Sequence, residues 1–159
     1  MPHGPGIDRA SEERFLDDVR KSLDDGGDGA SAVRQLFDWS DGRGLHREFA
    51  EKSRGPQCLI KLPRPRGGIT LLHIEAGGAF TWLGMQWLRN HPPFDQEAVQ
   101  GELEATIRTL PDGCYFFHAS GIRGQPSFDL SALAATDRVS ALIRILGRMT
   151  EQWLAHHPE

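Results

Sequence analysis

Cysteine is scarce in this 159-residue chain, which has only Cys58 and Cys114. The two lie far apart in apolar surroundings, which excludes a disulfide-dense scaffold and fits reduced thiols in a core. Long apolar runs are lacking too. The longest, such as 69–74, fall well below the roughly 20 residues that a membrane-spanning helix requires, so a soluble protein with no membrane partner is expected. The first fifteen residues, MPHGPGIDRASEERF, contain no apolar leader, and the expected compartment is the cytoplasm. There is no internal repeat and no low-complexity tract.

Catalytic signatures are missing as well. The chain has no HExxH and no paired CxxC, and the adjacent His156 and His157 would point about 100° apart on a helix. His3, His46, His73, His91 and His118 are scattered, so no metal site is expected. No GxSxG elbow supplies a serine nucleophile. Gly67-Gly68 and Gly77-Gly78 join strand to strand rather than strand to helix, so neither a P-loop nor a dinucleotide fingerprint is present and no cofactor is expected. Cys58 and His73 fall on neighbouring predicted strands. Their flanks, Leu59, Ile60, Leu72 and Ile74, favour a buried thiol beside a satisfied histidine over a nucleophilic pair. Glu97, Glu102 and Glu104 read as the solvated face of a helix.

What is present is a chain with 38% apolar residues, enough for one core. The expectation is a tail over residues 1–10 and a single α+β domain over 11–157. Helices are predicted from Ser11, with Phe15, Leu16, Val19 and Leu23 on one face, and over 30–40, with Val33, Leu36 and Phe37 buried. Leu45, Arg47 and Phe49 alternate with His46 and Glu48, as in a short edge strand or a helical turn. A polar loop, AEKSRGPQ, follows. Strands are predicted over 58–62, 69–75 and 79–87, the first two joined by Pro63-Arg64-Pro65-Arg66-Gly67-Gly68 and the last two by a tight turn at Ala76-Gly77-Gly78. In the third strand Ala79, Thr81, Leu83, Met85 and Trp87 should face helices. Phe80 and Trp82 point the other way, to be covered by the termini or left open to a ligand.

Asn90-His91-Pro92-Pro93-Phe94-Asp95 reads as a helix start with Asp95 as cap and Phe94 stapled onto Val99. Val99, Leu103, Ile107 and Leu110 form the buried stripe of that helix. Tyr115 to Phe117 suits a short strand at the sheet edge. A closing helix from Thr136 or Asp137 carries Val139, Leu142, Ile143, Leu146, Met149, Trp153 and Leu154 on one side. The fold class is therefore α+β, an antiparallel sheet of three to five strands packed against N-terminal, central and C-terminal helices.

This succession resembles a small bacterial α+β domain found in proteins without an assigned function, some of them in nuclease-like or defence-associated contexts. The resemblance spans roughly residues 30–155, with landmarks Pro92, Pro93, Phe94, Pro126, Ser127 and Leu133. It departs at Arg54-Gly55-Pro56-Gln57, where a glycine-bounded loop with an aromatic is expected. The landmarks are structural, so the resemblance implies a fold and no catalytic residue.

The charge is unevenly placed. Residues 1–41 carry five Lys/Arg against ten Asp/Glu, residues 42–68 seven against two, and residues 69–159 six against ten. The basic block, with Arg54, Lys61, Arg64 and Arg66 beside Trp82, suits a contact surface for a partner. Its arginines could instead solubilise a loop or pair with the acidic first helix. With no catalytic constellation, the leading expectation is a non-enzymatic binding or regulatory module working through residues 43–66. A protein partner is favoured over nucleic acid or another polyanion by the net charge of −4. The alternatives are a small hydrolase or nuclease-like enzyme using His73, Cys58 or His118 beside Trp82, and self-association through the aromatic sheet face or the closing helix.

Overall fold

The computed structural model describes residues 9–23, 27–52, 55–63, 68–77, 80–118 and 121–157. The expected tail over 1–10 falls almost wholly outside them, as do Gly78 and the tip residues Arg64, Pro65, Arg66 and Gly67.

Two helices open the fold, α1 (Arg9–Ser22) and α2 (Asp28–Gly42). Phe15, Leu16 and Val19 of α1 and Val33, Leu36 and Phe37 of α2 are buried at helical spacing. Strands β1 (His46–Lys52), β2 (Gly55–Leu62), β3 (Ile69–Glu75) and β4 (Phe80–Leu83) follow. A single turn, α3 (Met85–Leu88), and α4 (Glu97–Ile107) lead to β5 (Tyr115–Phe116), β6 (Ser127–Asp129), α5 (Leu130–Ala135) and α6 (Val139–His156). The six strands form one antiparallel sheet in the order β1-β2-β3-β4-β6-β5, one strand more than the upper end of the expectation.

Four local expectations are corrected. Of the segment AEKSRGPQ, the described residues 50–52 and 55–57 are strand rather than loop. They extend β1 and β2, which pair without interruption from His46↔Lys61 to Lys52↔Gly55, so paired backbone outweighs the polar composition. The third predicted strand stops at Leu83, and its second half is α3. At Gly84 the backbone lies against β3: a Cβ there would sit 2.1 Å from the Thr70 carbonyl oxygen, and the Gly84 amide donates to the Leu71 carbonyl at 2.8 Å. No side chain fits that approach, and the chain leaves the sheet there.

Asp95 does not cap α4. The cap position is Gln96, without a side-chain bond, and Phe94 stacks on Trp153 with centroids 6.5 Å apart. The closing helix α6 begins at Val139, close to its expected start, and a separate short helix, α5, precedes it. Asp129 caps α5 by accepting from the Ala132 amide at 2.9 Å, and Asp137, at φ 56°, separates α5 from α6. Leu154, expected on the buried side, is 44% exposed.

The sheet has two unlike faces. Phe49, Cys58, Ile60, Leu62, Leu72, Ile74, Thr81, Leu83 and Phe128 lie on the helix side, where all but Phe49 are buried. Phe15 of α1, Phe37 of α2 and Phe49 of β1 form a ring cluster with centroids 5.7–6.0 Å apart, which ties the first two helices to that side. Trp153 of α6 closes the core at the other end, donating from Nε1 to the Pro63 carbonyl at 2.9 Å. No helix among the described residues is long and apolar enough to cross a membrane.

Candidate functional site: the open face of the sheet

Side chains alternate along a strand, and residues paired across an antiparallel ladder share a side. The register therefore sets one row on the face away from the helices: Glu48, Leu59, His73, Trp82, Ser127 and Phe116. Phe80 and Asp129 form the next pair along β4 and β6. Leu59, His73 and Trp82 are half-buried, while Phe80 is 39% and Phe116 53% exposed. Exposed aromatics gathered on one face, rather than scattered singly, mark a surface for contact.

Between β4 and β5 this face sinks into a groove of about 460 Å³, lined by Phe80, Trp82, Phe116, His118, Ser127 and Asp129 among others. Its shape follows from the strand order. The small Ser127, on the central strand β6, makes the floor, and larger rings rise from the strands on either side. His118 stands edge-on to Phe116, centroids 5.0 Å apart. On the far side of Trp82, the His73 ring lies 5.5 Å away, and its Nε2 is bonded to the Gln57 amide oxygen at 2.8 Å.

The structure places Lys61 on this same face, where its ammonium pairs with Glu48 at 2.7 Å, and Trp82 in the groove wall. Arg54, Arg64 and Arg66 lie outside the described residues. Two further members of the basic block, Arg43 and Arg47, are engaged with acids. Arg43 pairs with Glu151 at 3.1 Å. Arg47 is buried, paired with Glu12 of α1 at 2.6 Å and Asp41 at 2.5 Å, and it donates further to the Phe37 carbonyl and the Ser40 hydroxyl. The charge segregation of the sequence is thus largely cancelled within the fold at these positions.

Cys58 and His73 are not brought together. Cys58 pairs with Ile74 and faces the helices, whereas His73 pairs with Leu59 and faces away. Burial pushes the Cys58 thiol well above its ordinary range, with Glu12 adding to the rise and Arg47 opposing it. A thiol held protonated is a poor nucleophile. Among the described residues no group of three or more His, Cys, Asp or Glu is gathered as a metal would need.

Sequence reasoning placed Phe80 and Trp82 on one face and named His118 beside Trp82, but did not find Phe116 as the opposite wall or the carboxylate of Asp129. The only signals for them are short, YF and SFD, and neither tells which strand it pairs with. Compared with protein-family models, with curated proteins and with solved structures, the chain matches none. The resemblance to the small bacterial α+β domain therefore rests on its landmarks alone. Of those, Pro93, Phe94, Pro126, Ser127 and Leu133 are buried, as structural residues would be.

Proposed function

We infer that this chain is a non-enzymatic binding module that contacts a protein partner through the open face of its sheet, centred on the groove beside Trp82. Lys61 contributes from the basic 43–66 segment on the same face. The observation that carries this is the pairing of exposed Phe80 and Phe116 across a groove on one sheet face. Aromatics that stay in solvent on a rigid sheet are the usual anchors of a protein contact. A catalytic alternative through Cys58 and His73 has no geometric support, since the two side chains point to opposite sides of the sheet.

The test is a Phe80→Ser/Phe116→Ser variant expressed at native level. Both residues are exposed, so the fold should survive, with an unfolding temperature within a few degrees of the parent. The parent should migrate in cell extract as a complex larger than the chain alone, and the variant as the free chain. If the two migrate identically, the open face is not the contact surface.

A further inference from the structure

We propose that the groove takes an arginine side chain presented by an extended segment of the partner, its guanidinium lying between the aromatic walls and turned toward Asp129. This rests on the open face being the contact surface, and it names what that surface recognises.

Three features of the groove select the ligand. The first is its width. Trp82, Ser127 and Phe116 form one cross-strand row, so the walls stand two strand spacings apart, roughly 9–10 Å. A flat group stacked between two rings needs about 3.5–4.0 Å to each, so one planar layer fits within that spacing. The second is charge. Asp129 is in the lining, and no Lys or Arg is. Its Oδ1 accepts from the Ala132 amide at the start of α5, and no Lys or Arg among the described residues pairs with this carboxylate. Ring faces carry negative potential, so rings and carboxylate act together on a cation.

The third feature is openness. The groove runs along β6 from the Phe80–Asp129 pair to the Trp82–Ser127–Phe116 row and is open to solvent rather than closed into a cage. A closed aromatic cage suits a compact methylated ammonium. An open trough suits a guanidinium, which is planar, stacks on rings and still offers N–H donors at its edge to a carboxylate. Polyanions are disfavoured in the same place for the same reasons, and the net charge of −4 favours the approach of a basic segment over an acidic one.

The test is an NMR titration of the full chain with short extended peptides that differ only at a central residue: arginine, its neutral isostere citrulline, lysine or glutamate. The arginine peptide should shift the Trp82 indole and Phe116 amide resonances. The citrulline and glutamate peptides should leave them unmoved, and the lysine peptide should bind more weakly than the arginine one. Asp129→Asn keeps an N-cap for α5, since asparagine caps as well as aspartate, yet removes the charge. It should weaken the arginine peptide roughly fivefold to tenfold. Equal shifts with arginine and citrulline, or arginine binding unchanged in Asp129→Asn, would overturn the proposal. If no peptide binds while Phe80→Ser/Phe116→Ser still releases the cellular partner, arginine recognition falls and the contact surface stands. If that variant also retains its partner, both fall.

Discussion

Removing the guanidinium of Arg47 should be among the most damaging single changes on the sheet. Arg47 is 5% exposed and Glu12 1% exposed. Four acceptors surround the guanidinium: Glu12 at 2.6 Å through Nη2, and Phe37 O at 3.1 Å, Ser40 Oγ at 2.9 Å and Asp41 at 2.5 Å through Nη1. Its charge also lies over the Phe37 ring, 4.8 Å from the centroid. In Arg47→Met the apolar stem is kept, but the Glu12 carboxylate stays buried without its cation. Breaking one side of such a pair costs about 3–5 kcal/mol. That is a large share of the roughly 5–15 kcal/mol that holds a domain together.

Replacing both partners is a different matter. Burying two charges costs nearly what their attraction returns, so Arg47→Met with Glu12→Leu should recover most of the loss, ending within about 1–2 kcal/mol of the parent. Urea unfolding of the parent, both single variants and the double variant closes the cycle. The coupling should be about 2 kcal/mol or more, with the double variant more stable than Arg47→Met. If Arg47→Met costs under about 1 kcal/mol, or the changes simply add, water reaches the pair and the buried ion pair is not as drawn.

Gly84→Ala should destabilise by about 3 kcal/mol, at the upper end for overpacking, because the new Cβ meets backbone at the Thr70 carbonyl and no side chain can move aside; a loss below about 1 kcal/mol in the same urea assay would mean that β3 and the Gly84 turn are not in contact. Trp153→Phe keeps a ring against Phe94 but drops the Nε1–H bond to the Pro63 carbonyl, so a loss of about 1–3 kcal/mol is expected, read as a fall of several degrees in unfolding temperature. For Cys58 the folded state raises the thiol pKa, so its contribution is complete below the unfolded value near 8.5 and declines as pH rises above it. Between about pH 9 and 10 the stability of Cys58→Ala should therefore fall less steeply than that of the parent, by up to about 1.4 kcal/mol per pH unit; equal slopes would show that the thiol ionises freely in the fold.

Much of this architecture could be read from local pattern. Strand β3 matches its predicted span because Gly67-Gly68 and Ala76-Gly77 bracket a stretch rich in Ile and Leu. The first helices follow from Phe15, Leu16, Val19 and Val33, Leu36, Phe37 at helical spacing. The burial of Arg47 was also implicit: alternation puts it on one side with Leu45 and Phe49, and an acid-rich helix precedes it. Where the reading failed, contacts distant in sequence decided the outcome. Nothing near Gly84 tells that Thr70 will lie against it. The polar letters of 50–57 hide two strand ends because ladder pairing needs only backbone. The groove was the least legible. It exists because β6 inserts between β4 and β5, bringing Ser127 between Trp82 and Phe116, and strands of two and three residues carry too little pattern to fix such a pairing.

The claim that the open face is the working surface is tested most directly by site-specific photocrosslinking in living cells. A photoreactive residue is placed at Phe116 in one protein and at Arg144, exposed on α6, in another. The groove predicts a discrete adduct from position 116, lost when Phe80→Ser is added, and none from position 144. Adducts of equal yield from both positions, or from 144 alone, would contradict it.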